Sequence, residues 1–234
     1  MSRTSLLRGI FVTATDTGVG KTHVGTRLVE AMTRQGLRVA VRKPVESGCE
    51  LQDGELLPAD ALRLRAAAGA REPLQTICPL RFRHALSPPR AASLTGTRIF
   101  LAQLRDAVLT GVNGETESNW LHVEGAGGIC SPIAEDGLNA DLAAALRLPV
   151  VLVVPDRLGG INQALMGLAA AAAWQLRVAA VVLNRLTTDA DPDLDNAGEL
   201  AAHTGHAVFS LGHGPGAGID ALLAHLLQSP DSGE

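Results

Sequence analysis

The chain has 234 residues, of which 46% are hydrophobic, and it carries a formal net charge of -4. This length can bury the core of one α/β domain, so we expect a single domain over residues 1–234, with a frayed tail at 229–234. A nucleic-acid partner usually leaves a basic patch, and a spanning helix needs ~20 apolar residues, so we expect neither a nucleic-acid nor a membrane partner and a cytoplasmic location.

Short apolar runs alternate with alanine-rich helical patterns, which predicts a doubly wound, mainly parallel sheet with helices on both faces. The predicted strands are GIFVTA, LRVAV, WLHVEG, PVVLVVP, RVAAVVLN and a weaker HAVFSL. The helical patterns cover about residues 20–35, 58–68, 90–110, 138–147, 161–175 and 217–228. Two segments, Cys49 to Pro58 and Cys78 to Pro89, fit neither pattern, and we expect functional loops there because long loops in compact domains are often functional.

The chain has three cysteines, Cys49, Cys78 and Cys130, with no CxxC motif and no histidine nearby at ligand spacing. We therefore expect small buried residues in a reducing compartment. Neither a disulfide nor a zinc site is indicated.

The first predicted strand leads into ATDTGVGKT, which resembles a phosphate-binding loop (P-loop) without its first glycine. The pattern GxxxxGK[ST] places that glycine at Thr15, while Gly20, Lys21 and Thr22 fill its last three positions. Backbone N–H groups from Gly18 onward and the start of the following helix predict a site for the β-phosphate. Lys21 would neutralise phosphate oxygens and Thr22 would ligate Mg²⁺. The alternative is a chance glycine turn.

Other candidate residues also follow predicted strands, where ligands bind in open α/β sheets. Of the 20 basic residues only Lys21 and Lys43 are lysines, and both follow predicted strands, which favours a functional role for each. The alternative is a general bias toward arginine that left two lysines by chance. Glu124 ends a strand and is the best candidate for a metal ligand. Asp60 is a second, but an aspartate near a helix start is usually a cap. Gly125 to Gly128 forms either a tight turn or a close approach to a ligand.

Several motifs together resemble the dethiobiotin synthetase family, from about residue 10 to 185. They are TATDTGVGKT, KPVESG, ADAL, LSPPRAA, VEGAGG, LPVVLVV followed by RLGGINQALM, and VVLN. The family has glycine where Ala14 stands, and it also lacks the glycine at Thr15. The resemblance implies a P-loop NTPase-like fold and an ATP- and Mg²⁺-dependent enzyme. Its reaction joins CO₂ to 7,8-diaminononanoate and closes a ring, through a carbamate and a carbamic-phosphoric anhydride, to give dethiobiotin.

The resemblance also implies residue roles and a homodimer with sites at the subunit interface. The implied nucleotide-binding residues are Asp16, Thr17, Gly18, Val19, Gly20, Lys21, Thr22, Glu124, Gly125, Ala126, Gly127, Gly128 and Asn184. The implied catalytic residues are Lys43, Lys21, Thr17 and Ser47, and the implied Mg²⁺ ligands are Thr22, Asp60 and Glu124. The implied substrate contacts are Lys43, Ser47, Ser87, Leu158, Gly159, Gly160 and Asn162.

The segment RLGGINQALM suits the carboxylate of the substrate, which in this family it binds from the neighbouring subunit. Gly159 and Gly160 let the main chain approach an anion, and the following helix presents unpaired N–H groups. A plain glycine turn with Asn162 as helix cap is the alternative.

Two rival functions share this architecture. A cobyrinate-amidating enzyme would need additional glutaminase length and a Cys/His nucleophile pair. A partitioning or positioning ATPase would carry an extra lysine early in the loop, where this chain has Ala14, Thr15 and Asp16. The segment LGHGPGAGID does not clearly reproduce the family's base-binding loop, so the role of residues 212–218 and the preference among ATP, CTP and GTP stay open.

Overall fold

The structure is a computed structural model that describes residues 8–112, 119–185, 193–212 and 218–228. The predicted frayed tail and most of the loop 212–218 lie outside the described residues. The strands are β1 (Gly9–Ala14), β2 (Val39–Arg42), β3 (Val45–Ser47), β4 (Glu50–Gln52), β5 (Glu55–Leu57), β6 (Leu80–Phe82), β7 (Trp120–Glu124), β8 (Pro132–Ala134), β9 (Gly137–Leu138), β10 (Val150–Pro155), β11 (Val178–Asn184) and β12 (Val208–Leu211). The helices are α1 (Lys21–Arg34), α2 (Ala59–Ala67), α3 (Leu74–Ile77), α4 (Pro88–Ser93), α5 (Leu101–Leu109), α6 (Asn139–Leu146), α7 (Gly160–Ala173), α8 (Asn196–Thr204) and α9 (Ile219–Gln228).

Six strands form one parallel sheet in the order β12-β11-β10-β1-β7-β2. Alternate side chains of β1 point to opposite faces, as the period of a strand requires. Ile10 and Val12 pack into one core cluster with helices α1, α2 and α9, and Phe11 packs into another with α5, α6, α7 and α8. The predicted doubly wound fold is confirmed.

The six predicted strands all lie in this sheet. Strands β1, β7 and β10 are nearly continuous apolar runs buried on both faces, whereas the edge strand β12 is only partly buried. Their bounds differ from the prediction by at most two residues; LRVAV, for example, becomes Val39–Arg42. No helix among the described residues is long and apolar enough to cross a membrane.

The predicted helix over 90–110 is wrong, since two helices, α4 and α5, occupy this region. After α4 the chain turns at Gly96, whose φ of 72° lies in the left-handed region that glycine adopts readily. The second helix starts where the Phe100 N–H donates to Gln103 Oε1 (2.9 Å). Helix α8 is not among the predicted helices. Asp195 at its start accepts from the Gly198 N–H (3.0 Å), and such a cap is a local sequence signal.

The two segments expected to be irregular loops contain strands. Strands β4 and β5 form an exposed antiparallel hairpin within Cys49 to Pro58, and β6 pairs in parallel with β3. Cys49 and Cys78 are buried as expected. Cys130 is exposed, which corrects the prediction, because it lies in the loop between the glycine turn after β7 and strand β8.

Candidate active site

The adjacent strands β1, β7 and β2 bring their carboxyl ends together at one edge of the sheet. The P-loop follows β1, the glycine turn follows β7, and Lys43 follows β2 directly. This is the edge at which open α/β sheets bind ligands. Three sequence motifs that are far apart in the chain therefore meet because of the strand order alone.

The P-loop wraps around the start of α1. Gly18 and Gly20 have φ values of 75° and 93°, in the left-handed region that side chains disfavour. Gly20 is the residue before the helix, and no side chain caps it, so the first N–H groups of α1 face the loop. The Thr17 N–H donates to Asp16 Oδ1 (2.7 Å) at the exposed tip. Such a helix start with free N–H groups suits an anion.

Four charged side chains and a hydroxyl group meet beside this loop. Lys43 Nζ donates to Glu124 Oε1 (2.6 Å), Asp60 Oδ2 (3.1 Å) and the carbonyl oxygen of Gly125 (3.1 Å). Thr22 Oγ1 donates to the same Glu124 oxygen (2.8 Å). Lys21 lines the same cleft and is itself buried. Residues predicted from four separate motifs thus form one cluster.

The two ammonium groups of the cluster have opposite electrostatic surroundings. Burial and the nearby Lys43 ammonium lower the pKa of Lys21 to about 8. Burial alone would also lower the pKa of Lys43, but Glu124 and Asp60 outweigh burial and hold that pKa above its ordinary value. Burial would raise the pKa of Asp60, but Lys43, together with Thr22 and Lys21, outweighs burial and lowers that pKa. Positive charge at Lys21 is therefore undercompensated, and a phosphate group there would stabilise it.

The start of α2 is capped by Glu46, a residue that the sequence analysis did not select. Its carboxylate oxygens accept from the N–H groups of Asp60 (3.0 Å) and Ala61 (3.0 Å). Asp60 therefore does not cap the helix, and its side chain bonds Lys43 instead. Burial raises the pKa of Glu46, opposed by Lys43. Because Glu46 precedes Asp60 by 14 positions along the chain, no local pattern identifies this cap.

The glycine turn after β7 is held by the fully buried Asn139 at the start of α6. Asn139 Oδ1 accepts from the Ala126 N–H (3.0 Å), and its Nδ2 lies within hydrogen-bond distance of the carbonyl oxygens of Ala126, Gly128 and Ser131. A Cβ at Gly128 would lie 3.0 Å from the Thr15 carbonyl oxygen, so packing against the P-loop requires glycine there. The turn thereby keeps Ala126 and Gly127 at the cleft.

The cleft has a volume of about 300 Å³. It is lined by Thr17, Gly18, Gly20, Lys21, Thr22, His23, Lys43, Glu46, Ser47, Asp60, Arg63, Ala126 and Gly127. His23, Glu46 and Arg63 are additions to the predicted set. Ser47 Oγ donates to the Leu86 carbonyl oxygen (2.7 Å), which holds it at the rim.

Other predicted residues lie behind or beside this lining. Glu124 is fully buried and reaches the cleft through Thr22 and Lys43. Residues that flank the lining without belonging to it are Asp16, Val19, Gly125 and Gly128. Ser87 is exposed at the residue before α4 and is not brought to the cleft.

Asn184, at the end of β11, lies against the other side of the P-loop. Its Nδ2 donates to the carbonyl oxygen of Val19 (2.9 Å), which fixes the orientation of the amide. Its Oδ1 is buried and has no hydrogen-bond partner among the described residues. Asn184 thus has an unused acceptor close to the loop.

The RLGGINQ segment lies after β10 and does not line the cleft. Leu158 is 86% exposed, and Gly159 has a φ of 86°. A Cβ on Gly160 would lie 2.6 Å from the Pro155 carbonyl oxygen, so this position requires glycine for packing. The alternative in which Asn162 caps α7 is wrong, because its side chain points along the helix to Met166 Sδ (3.5 Å).

The site offers oxygen donors suited to a hard cation. Thr22, Asp60 and Glu124 supply a hydroxyl and two carboxylates, and Glu124 Oε2 is buried without a hydrogen-bond partner among the described residues. The described part of the chain contains no group of three His, Cys, Asp or Glu residues at metal-binding distance. Mg²⁺ usually takes one or two carboxylates and completes its shell with water and phosphate oxygens, so this donor set fits it.

The chain is similar to known proteins over most of its length. A family model described as an AAA domain matches residues 8–215. The ATP-dependent dethiobiotin synthetase BioD of Rhodopirellula baltica is 41% identical over 191 residues, covering 77% of this chain and 74% of that protein. The BioD of Caulobacter sp. is 39% identical over 221 residues, covering 93% and 94%.

Two solved structures share the fold at low identity. The MinC:MinD cell division protein complex of Aquifex aeolicus matches with a TM-score of 0.56 at 12% identity, covering 94% of each chain. The signal recognition particle receptor FtsY from Elizabethkingia anophelis in complex with GDP matches with a TM-score of 0.55 at 14% identity, covering 98% of this chain and 66% of that one. These matches bear on the fold alone, whereas the identity and coverage of the curated relatives assign the chain to the ATP-dependent dethiobiotin synthetase family.

Proposed function

We propose that this chain is a ligase that converts 7,8-diaminononanoate and CO₂ into dethiobiotin, with ATP cleaved to ADP and phosphate. The observation that carries the proposal is the cluster of Lys21 and Lys43 with Thr22, Asp60 and Glu124 beside one P-loop. Membership of the dethiobiotin synthetase family supports the choice of substrate.

The reaction needs two cations close together. A carbamate is a weak nucleophile, and its negative charge must approach an already anionic triphosphate. Preorganised positive charge lowers the barrier to this approach, most effectively where water is excluded. Lys21 and Lys43 are both buried at the cleft and meet this requirement.

The proposed chemistry has three steps. One amine of the substrate attacks CO₂, forms an N–C bond and loses a proton, which gives a carbamate. A carbamate oxygen then attacks the γ-phosphorus, the bond to the β,γ-bridging oxygen breaks, and ADP leaves. Finally the second, neutral amine attacks the carbonyl carbon of the mixed anhydride, phosphate leaves and a proton is lost, which closes the ureido ring. No covalent bond to the protein is needed.

Lys43 is the proposed partner of the carbamate. Its ammonium now lies between Glu124 and Asp60, so it is charged and held at the cleft before any substrate binds. Lys21 and the N–H groups of the P-loop are the proposed phosphate ligands, because Lys21 lacks a full countercharge. Thr17 and Ser47 supply hydroxyl groups at the rim of the same cleft.

Mg²⁺ is the proposed cation for Thr22, Asp60 and Glu124. When bound, it would neutralise charge on the triphosphate. The fit rests on the hard oxygen donors and on the unpaired Oε2 of Glu124. Glu124 also keeps Thr22 oriented, since the hydroxyl donates to it.

Asn184 is the proposed contact to the nucleotide base. Its free Oδ1 is an acceptor, and the exocyclic amino group of adenine is a donor. The same acceptor would suit cytosine, whose ring also carries an amino group, and would repel the carbonyl group of guanine. We therefore propose that ATP is preferred over GTP.

The proposed site for the substrate carboxylate is the start of α7 in a neighbouring copy of the chain. Within one chain this segment does not line the cleft. It is also unusually apolar for an exposed surface, with Leu158 at 86% and Met166 at 66% exposure. A homodimer that covers these side chains would bring the helix N-terminus to the substrate, where its dipole favours an anion.

The test is an assay with purified protein, diaminononanoate, ¹³C-bicarbonate and Mg²⁺, supplied in turn with ATP, CTP and GTP. We expect dethiobiotin with one ¹³C in the ureido carbonyl, one phosphate released per product, and a lower rate with GTP. A reaction without diaminononanoate is the control. Nucleotide hydrolysis at the same rate with and without diaminononanoate, and no labelled product, would instead favour the partitioning class of ATPase.

A further inference from the structure

A buried histidine lies on the same strand as the candidate metal ligand. Trp120, His122 and Glu124 are alternate residues of β7, so their side chains share one face of the sheet, the face covered by α1. His122 is fully buried, and neither of its ring nitrogens has a hydrogen-bond partner among the described residues. The Oε2 atom of Glu124 is unpaired in the same way.

The unpaired atoms of these two residues face the same small space beside α1. A Cβ on Gly25 of α1 would lie 2.9 Å from His122 Nε2 and 3.2 Å from Glu124 Oε2. Any side chain at this position would therefore contact both atoms. The absence of a side chain on Gly25 makes room for the imidazole ring next to the carboxylate.

The chemistry of the two groups is complementary. The imidazole ring of His122 carries at least one N–H donor, whichever of its nitrogens is protonated. Glu124 Oε1 already accepts from Thr22 and Lys43, whereas Oε2 has no donor. Buried polar atoms in folded proteins are nearly always hydrogen-bonded, and the Nε2–H of His122 is a donor on the correct side.

We infer that His122 is a positioning residue, whose Nε2–H donates to Glu124 Oε2, directly or through one buried water, and holds Oε1 toward the cleft. The inference rests on the proposed role of Glu124 as an Mg²⁺ ligand. A hydrogen-bond donor to a metal-ligating carboxylate fixes the orientation of that carboxylate. Such a donor matters more when the carboxylate loses another hydrogen bond. If Lys43 leaves Glu124 for the carbamate, His122 is the contact that keeps the carboxylate in place.

The test measures binding rather than turnover. Calorimetry would give the affinity for a non-hydrolysable ATP analogue with Mg²⁺ and with EDTA, for the wild type and three variants. We expect His122→Leu to reduce the Mg²⁺-dependent gain in affinity about 10-fold, with affinity in EDTA unchanged, because an outer donor to a metal ligand is lost. His122→Gln, which keeps a donor, should recover most of this gain. Trp120→Phe removes another unpaired N–H from the same strand face and should leave the gain unchanged.

The outcomes separate this inference from the proposed function. A wild-type protein whose affinity does not depend on Mg²⁺ would overturn the metal site and this inference with it. A full Mg²⁺-dependent gain in His122→Leu, with the wild-type gain present, would overturn the inference alone. If the variants fail to fold, ¹⁵N NMR of the wild-type imidazole decides. We expect a neutral ring protonated at Nε2, and a ring protonated at Nδ1 would contradict the inferred hydrogen bond.

Discussion

Two regions at the same edge of the sheet differ in whether a single chain supplies the contacts that each region needs. In the charged cluster Lys21, Lys43 and Glu124 are buried, and Lys43 bonds both Glu124 and Asp60 within one chain. The RLGGINQ segment, one strand away after β10, is exposed and does not line the cleft.

The difference reflects the chemistry expected of each region. Buried charges are stable only when they are paired, so the cluster must be assembled as the chain folds. A helix N-terminus needs no buried partner, because solvent satisfies its N–H groups until an anion arrives. The charged cluster can therefore form within a single copy of the chain, whereas the RLGGINQ segment needs a second copy to complete a site.

The largest effect should come from changing the cation inside the cluster. Lys43→Arg should lower turnover at least ~100-fold, because a planar guanidinium cannot replace a compact ammonium at the carbamate. Steady-state rates of dethiobiotin formation would measure this, and nucleotide affinity by calorimetry is the control for the fold. Near-normal turnover would remove Lys43 from the proposed mechanism.

A smaller effect is expected from each carboxylate. Glu124→Gln should raise the Mg²⁺ concentration for half-maximal activity about 10-fold, because a neutral amide is a poorer ligand for a hard cation. Asp60→Asn should do the same to a lesser degree, since Asp60 is partly exposed to solvent whereas Glu124 is fully buried. Metal titrations check both variants, and an unchanged midpoint for Glu124→Gln would refute its role as ligand.

The contrast between the regions also explains which features the sequence predicts. The P-loop, the lysine after β2 and the glutamate ending β7 are local signals, because each is a residue type next to a recognisable strand. Glu46 and Asn139 are not, since each acts on backbone groups at least 8 positions away. The helix over 90–110 was overestimated because alanine-rich composition hid the turn at Gly96. Local sequence patterns therefore do not predict the long-range bonds of Glu46 and Asn139 or the turn at Gly96.

Protonation of Lys21 gives a third prediction, about phosphate binding within the cluster. With a pKa of about 8 in the free protein, Lys21 is half charged at pH 8, and an anionic phosphate raises that pKa. Binding of ADP in EDTA should therefore take up about half a proton at pH 8, where the phosphates of ADP are already deprotonated. Calorimetry in two buffers of different ionisation enthalpy measures the uptake. Lys21→Arg, which stays charged, should abolish it, whereas equal uptake in this variant would assign the proton elsewhere.

A variant that tests the RLGGINQ segment must leave the fold of the single chain unchanged. Gly160 is unsuitable, because a side chain there would clash with the Pro155 carbonyl oxygen. Leu158→Asp changes a side chain that is 86% exposed and adds negative charge beside the proposed carboxylate site. It should raise the KM for diaminononanoate and leave nucleotide affinity unchanged, and a matched Leu158→Asn variant should have a smaller effect. Equal KM values in the two variants would argue against a charge effect.

The most direct test of whether the RLGGINQ segment acts from a second copy is to mix two impaired proteins, at a diaminononanoate concentration well below the raised KM of Leu158→Asp. Leu158→Asp and Lys43→Ala would be combined in equal amounts, with subunit exchange followed by native mass spectrometry. In a shared-site homodimer each heterodimer has one site with both changes and one with neither, so we predict dethiobiotin formation at about a quarter of the wild-type rate. Confirmed heterodimers without any recovered activity would contradict the shared site.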